Sequence, residues 1–298
     1  MLRMLSMLRH KARQRPRKIN GRALQCERAR LIPVTTAIYR VAALPACLGI
    51  LLWGPLSLAA ETKPPVVAAA SDLQFALSEI AETFTERTGL KVNLSFGSSG
   101  NFARQIRQGG PYELFLSADE GFVRELTDKG LTVDGGRLYA IGRIGLFAAK
   151  GSPLEADSEL KNLRAALEAG KIKRFAIANP EHAPYGRAAR EALQTAGLWD
   201  VLQPRLVLGE NIAQAAQFAA SGSAQGGIIA YSLALAPTVK LLGAFSLLPE
   251  TWHKPLRQRM VLLKNAGQTA RRFYDFLRQP AARALFERYG FTLPQDSP

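Results

Sequence analysis

The sequence predicts an α/β protein of two lobes, each built around a mainly parallel sheet. From Pro65 onward, short apolar runs alternate with segments of helical periodicity. This alternation occurs in two blocks, on either side of a long apolar segment at 141–153. A βαβ series predicts a mainly parallel sheet, because each helical crossover returns the next strand in the same direction.

The first block contains three predicted strands. VVAAA at 66–70 is typical of a buried strand, and the following segment, 72–89, has apolar residues at helical spacing and closes on a glycine. The next predicted strands are 91–96 and 112–118, and each precedes a further helical pattern. The segment 141–153 predicts one long strand that leaves this block.

The second block predicts strands at 174–180, 204–211 and 226–232, with helices after the first two. An irregular region follows Pro237, and then a helical C-terminal segment. We therefore expect a second lobe inserted in the first. The expected ranges are 61–146 plus 233–298 for the first lobe and 147–232 for the second.

Charge is concentrated at the N-terminus. The net charge of the 298 residues is +15, but residues 1–60 hold eleven Lys and Arg and a single acidic residue, Glu27. The remaining 28 basic and 23 acidic residues give 61–298 a net charge of only +5. This part of the chain has no basic stripe with interleaved aromatic residues, so we expect no nucleic-acid partner.

Residues 1–60 are typical of a basic leader with a secretion signal. An uncharged apolar run at 41–60 follows basic residues and ends on small ones, which predicts cleavage after Ala59 and a periplasmic protein. An uncleaved membrane anchor is the alternative, because the run approaches spanning length. The leader exceeds an ordinary signal, so we hypothesise a later translation start, near Leu31 or Val34. Both cysteines, Cys26 and Cys47, lie in it, and the mature chain would have no disulfide.

Four predicted strand-to-helix junctions have small or capping residues before the helix and no Lys or Arg at their centre. They are AAASDL at 68–73, FGSSGN at 96–101, APYGRA at 183–188 and GENIAQ at 209–214. Helix N-termini carry free backbone N–H groups and a partial positive charge, which favour anions. If the four converge, they form a neutral cage of donors. Taken singly, serines at such places more often serve only as helix caps.

Catalytic motifs are scarce in the mature sequence. It contains two histidines, His182 and His253, and no metal-ligand spacing of the His/Cys type. The GSSG segment differs from the G-x-S-x-G elbow of serine hydrolases. We therefore expect no enzyme activity and no cofactor, with a hydrolase that uses Ser99 as the less favoured alternative.

Five separated motifs resemble the periplasmic molybdate-binding proteins of ABC importers. They are AAASDL with FAL, SFGSSGNFARQI, LFLSADEGFVREL, the segment from IANPEHAPYGRAAREAL to LGENIAQAAQF, and GGIIAYSLAL. The resemblance runs from about Val66 to Pro294 in unchanged order. It implies the type II periplasmic binding protein fold, two α/β lobes joined by crossing strands.

The resemblance also implies the ligand set. Ser71 and Ser99 would donate hydroxyl and N–H groups, Tyr185 and Ile212 backbone N–H groups, and Tyr231 its hydroxyl. These groups would hold molybdate or tungstate as an intact oxyanion, not as a bare metal cation. We expect the carboxyl group of Asp72 to turn away from the anion, because the two would repel each other.

The resemblance further implies capture without chemistry. The lobes would close on the oxyanion by bending near 146–148 and 232–234, and the closed monomer would dock on a membrane permease. Because cavity size cannot be read from sequence, a sulfate or phosphate receptor of the same fold stays open as an alternative.

Overall fold

The computed structural model describes residues 63–294. The predictions for the leader lie outside this range: the signal at 1–60, the cleavage after Ala59, the alternative anchor, the later start and the two cysteines. Within the described range, no helix has both the length and the apolar character needed to cross a membrane.

The first sheet contains the strands of the predicted first block and two more. They are β1 (Val66–Ala70), β2 (Asn93–Gly97), β3 (Leu114–Ser117), β4 (Arg137–Gly142) and β10 (Leu256–Leu262). Their spatial order is β2-β1-β3-β10-β4. β1 is parallel to β2 and β3, whereas β10 is antiparallel to β3 and β4. Four strands therefore run one way, and β10 is reversed.

Helices cover both faces of this sheet. They are α1 (Gln74–Thr88), α2 (Ser99–Arg107), α3 (Glu120–Asp128), α10 (Gln268–Phe276) and α11 (Pro280–Arg288). On one face Phe84 packs against Phe273 and Phe276, with ring centroids 5.0 and 5.4 Å away. On the other face Phe102 of α2 and Val123 of α3 are buried against the sheet. Burial on both faces explains why β1 reads as a continuous apolar run.

The second sheet repeats this arrangement. Its strands are β5 (Ile144–Ala149), β6 (Phe175–Ala178), β7 (Leu206–Gly209), β8 (Gly226–Ala230) and β9 (Gly243–Leu247). Their order is β7-β6-β8-β5-β9, and β5 is the reversed strand. The helices of this part are α4 (Lys161–Glu168), α5 (Pro184–Thr195), α6 (Trp199–Leu202), α7 (Ile212–Ala220), α8 (Tyr231–Ala234) and α9 (Pro237–Lys240). The predicted fold class, two lobes with mainly parallel sheets, is confirmed.

The chain crosses between the lobes at two places, and both differ from the predicted ones. β4 passes into β5 through Arg143 alone, so the predicted long strand at 141–153 is in fact two strands in two sheets. The return crossing is 248–255, between β9 and β10. Strand pairing thus gives the second lobe residues 144–247, in place of the expected 147–232. The expected boundary at 232/233 missed β9, which pairs with β5 although its sequence lacks a regular period.

Four strands end at the cleft between the lobes, and each leads at once into helical backbone. A 3₁₀ turn at Ser71–Leu73 follows β1, and α2 follows β2 after one residue. In the second lobe, α5 follows β6 and α7 follows β7 across short loops. These are the four junctions predicted from the sequence, two on each lobe.

Candidate functional site

Two hydrogen bonds between the lobes bring the four junctions together. The Ala213 N–H at the start of α7 donates to Ser71 Oγ at 3.3 Å. The Gly100 N–H in the first turn of α2 donates to the His182 carbonyl oxygen, before α5, at 3.0 Å. Each bond joins one lobe to the other, so the structure is a closed form with all four junctions at one place.

At this place, backbone N–H groups of three helices have no hydrogen-bond partner among the described residues. They belong to Ser99, Tyr185 and Ile212, which are the first residue of α2, the second of α5 and the first of α7. No hydrogen bond found among the described residues uses these N–H groups, and the three residues are at most 3% exposed. Buried N–H groups are nearly always paired. Unpaired N–H groups at three adjacent helix N-termini therefore indicate a binding place for a hydrogen-bond acceptor such as an anion.

Two serine hydroxyls add further donors. Ser99 Oγ accepts the Ala118 N–H at 2.9 Å, as Ser71 Oγ accepts that of Ala213. Both serines are buried, at 0% and 2% exposure. Because each oxygen already accepts a bond, its own O–H hydrogen remains for another group.

The donors of this site are uncharged, and the carboxyl group beside Ser71 is bonded to other side chains. Asp72 Oδ2 accepts the Tyr185 hydroxyl at 2.8 Å and Gln258 Nε2 at 2.6 Å. Burial raises the pKa of Asp72 to about 6, although these two hydrogen bonds act in the opposite direction. Among the described residues, no group of three or more His, Cys, Asp or Glu is placed to hold a metal ion. The arrangement suits an anion.

Side chains at the rim of the cleft also join the lobes. Ser98 Oγ lies 3.0 Å from His182 Nδ1, and His182 Nε2 lies 3.5 Å from Glu210 Oε2. Asn101 of α2 donates to Glu210, and Arg187 of α5 pairs with Asp119, the N-cap of α3. We refer to Ser98, Asn101, His182 and Glu210 as the rim cluster.

The rim cluster bears on the alternative of a serine hydrolase. Its histidine contacts Ser98 and not Ser99. Ser98 is itself engaged as the N-cap of α2, since its Oγ accepts the Asn101 N–H at 3.4 Å. The Ser99 hydroxyl bonds to a backbone amide, and no histidine contact with it is found in the described part of the chain.

A family model named "Bacterial extracellular solute-binding protein" matches residues 65–292. The chain belongs to this family. The match covers both lobes and all four junctions, so the site described above lies in the cleft of a solute-binding protein.

The chain is similar to several molybdate-binding proteins. The chain is 38% identical to the molybdate-binding protein ModA of Rhodobacter capsulatus over 239 residues, which cover 79% of this chain and 91% of that protein. It is 36% identical to ModA of Escherichia coli over 80% of this chain and 91% of that protein. The solved periplasmic molybdate-binding protein of Azotobacter vinelandii superposes with a TM-score of 0.71 and 32% identity, covering 78% of this chain and 100% of that chain.

Tyr231, the fifth candidate residue of this solute-binding protein, follows β8 directly. β8 ends at Ala230, so Tyr231 opens α8 and is not the last residue of a strand. Its ring stacks on Phe245 with a centroid distance of 5.4 Å, and the Arg143 guanidinium lies 4.8 Å from its centroid. The Tyr231 ring therefore packs beside the crossing between the lobes.

The sequence analysis did not identify the residues that hydrogen-bond to Asp72 beside the site. Gln258 is fully buried and binds Asp72, and Ser232 donates to the Asp72 carbonyl oxygen at 2.8 Å. Gln258 had a sequence signal, since it is a polar residue at a buried position of the otherwise apolar face of β10. Glu210 had none, because a carboxylate in a loop is ordinarily solvated.

Proposed function

We propose that this chain is an extracytoplasmic solute-binding protein that captures molybdate or tungstate between its lobes and delivers it to an ABC permease. The observation that carries the proposal is the set of unpaired N–H groups of Ser99, Tyr185 and Ile212, which comes from both lobes. With the hydroxyls of Ser71 and Ser99 it forms a cage of neutral donors. Tyr231 is not part of the proposed cage.

A cage of this kind matches a tetrahedral dianion. Hydrogen bonds to a charged acceptor are worth roughly 1.5–3 kcal/mol each, so five donors suffice for tight binding without a counter-cation. The N-terminal dipoles of α2, α5 and α7 add to this attraction. Phosphate keeps a proton near neutral pH, and its O–H would face donors, so we expect it to bind worst.

The choice of molybdate over sulfate rests on the relatives. The three relatives described above, at 32–38% identity, are all molybdate-binding proteins. The sulfate-binding protein SubI of Mycobacterium tuberculosis shares the fold with a TM-score of 0.63 but only 14% identity. The two dianions differ in size, because an Mo–O bond is longer than an S–O bond.

The proposal has further parts. Capture occurs without chemistry, as a monomer, by bending at Arg143 and at 248–255. The protein works in the periplasm after cleavage near Ala59. Residues 63–142 and 256–294 form its first lobe. It requires neither nucleic acid nor a cofactor.

Isothermal titration of the purified protein with molybdate, tungstate, sulfate and phosphate tests the proposal. We expect tight one-to-one binding of molybdate and tungstate, with sulfate much weaker. Ser99→Ala removes one hydroxyl of the cage, and we expect it to weaken molybdate binding by about tenfold or more. Ser78→Ala, on α1 with its Oγ bonded to the Gln74 carbonyl, is the matched control and should bind as the unmodified protein does.

The outcomes separate the alternatives. Tight sulfate binding without a molybdate response would make the protein a sulfate receptor. No response to any of the four anions would refute the proposed cage.

A further inference from the structure

Tyr185 contributes to the cleft in two ways. Its N–H is one of the three unpaired groups of the proposed cage, at the N-terminus of α5 in the second lobe. Its hydroxyl reaches across to the first lobe and donates to Asp72 Oδ2 at 2.8 Å. Asp72 directly follows Ser71, so the two ends of Tyr185 contact the anion site and the residue beside it.

The hydroxyl is held from several sides. Gln258 Nε2 donates to Tyr185 Oη at 3.0 Å and to Asp72 Oδ2 at 2.6 Å, while Gln258 Oε1 accepts the Tyr139 hydroxyl at 2.6 Å. Gly142, the last residue of β4, provides the space, because a Cβ there would collide with the Tyr185 hydroxyl. Tyr185 and Asp72 are 2% and 1% exposed. A rigid aromatic ring thus spans from α5 to the crossing between the lobes.

We propose that Tyr185 is a positioning residue whose hydroxyl bond to Asp72 fixes the distance between its own N–H and Ser71, and thereby the size of oxyanion that the closed cleft accepts. This inference rests on the proposed function. The ring has only two side-chain torsions and both of its ends are bound, so it acts as a spacer between the lobes. Without the hydroxyl bond, the N-terminus of α5 is free to shift, and the cage loses its preorganisation.

The test compares Tyr185→Phe with Tyr289→Phe. Tyr289 donates to the Glu79 carboxylate at 3.1 Å between α11 and α1, entirely within the first lobe, so each variant loses one tyrosine–carboxylate bond. Titration with molybdate and sulfate gives both affinities and their ratio. We expect Tyr185→Phe to weaken molybdate binding by about tenfold and to reduce the molybdate-to-sulfate ratio. Tyr289→Phe should change neither quantity.

A second pair of variants covers the case in which Tyr185→Phe folds poorly. Asp72→Asn keeps an oxygen that accepts the tyrosine hydroxyl, whereas Asp72→Ala removes it. We expect Asp72→Ala to reduce the molybdate-to-sulfate ratio as Tyr185→Phe does, and Asp72→Asn to reduce it less. A loss of stability alone would not change this ratio.

The results distinguish this inference from the proposed function. If the unmodified protein binds none of the oxyanions, the proposed function fails, and this inference with it. If the unmodified protein binds molybdate and the ratio is the same in Tyr185→Phe, or in Asp72→Ala, the positioning role is wrong and the proposed function stands.

Discussion

Asp72 illustrates at the scale of one residue how a carboxyl group is accommodated beside an anion site. Its Oδ2 accepts two hydrogen bonds, while its Oδ1 is buried and has no partner in the described part of the chain. Burial raises its pKa from an ordinary 3.8 to about 6. A proton on Oδ1 would leave both bonds to Oδ2 in place and would remove the repulsion of a neighbouring dianion.

The raised pKa predicts a pH-dependent stability that Asp72→Asn removes. Between about pH 4 and 6 the folded protein binds this proton more tightly than the unfolded chain does, so the contribution of Asp72 to stability falls as pH rises through that window. Its full size is about 3 kcal/mol, from the difference between the two pKa values. Urea unfolding at pH 5 and pH 8 measures about half of this loss, because the ordinary pKa of 3.8 lies below pH 5. We expect the unmodified protein to lose stability relative to Asp72→Asn between these pH values, and an unchanged difference would contradict the prediction.

Some residues of the candidate site could be predicted from the sequence, and others could not. Ser71, Ser99 and Ile212 could be placed at helix N-termini because capping residues and glycines mark those positions locally. The surroundings of Tyr231 could not be predicted, because they depend on Arg143 and Phe245, which no local pattern places beside its ring. The second role of Tyr185 depends on Asp72 and Gln258, 113 and 73 residues away in the chain. No local pattern encodes such contacts.

At the scale of elements, strands with buried apolar runs were predictable and edge strands were not. β1, β3, β6 and β8 are almost wholly buried, and each was predicted from its composition. β9 has only partly buried or exposed residues and owes its place to backbone pairing with β5. The break at Arg143 was missed, because both strands beside it are apolar and the turn between the two sheets involves a single residue.

The first turn of α2 and the loop before α5 approach each other closely, so a side chain added between them should hinder closure. A Cβ at Gly100 would lie 2.6 Å from the His182 carbonyl oxygen. Gly100→Ala should therefore prevent the two elements from meeting and hinder closure. Overpacking of this kind costs about 1–3 kcal/mol, so we expect molybdate to bind roughly 5- to 150-fold more weakly.

Titration of Gly100→Ala beside Gly135→Ala measures this effect. Gly135 is a matched control, because a Cβ there meets no atom within 4 Å and its backbone is not in the left-handed region. The free Gly100→Ala protein should unfold at nearly the same temperature as the unmodified one, since the contact it blocks joins the lobes and lies outside both cores. Unchanged molybdate affinity in Gly100→Ala would show that closure does not need this approach.

The whole molecule consists of two sheets of the same design, each with four strands in one direction and one reversed strand. The reversed strands, β5 and β10, directly follow the two crossings between the lobes. Each crossing therefore runs close to both sheets. The core of the second lobe also includes Ala70, Ala118 and Leu256 of the first lobe, and the donors of the proposed cage come from both lobes. An anion bound by donors of both lobes therefore adds to the contacts that hold the closed arrangement.

This coupling predicts that ligand raises the unfolding temperature of the whole chain. A ligand that binds only the folded protein, at 100 times its Kd, adds about 2.7 kcal/mol to the free energy of unfolding. For a chain of this size that corresponds to a rise of about 5–10 °C in Tm. Thermal unfolding of the purified protein with and without molybdate measures the rise, and Ser99→Ala at the same molybdate concentration should show a smaller one. Equal shifts in both proteins would mean that the anion stabilises the chain from a surface other than the cage, because only binding through Ser99 depends on that hydroxyl.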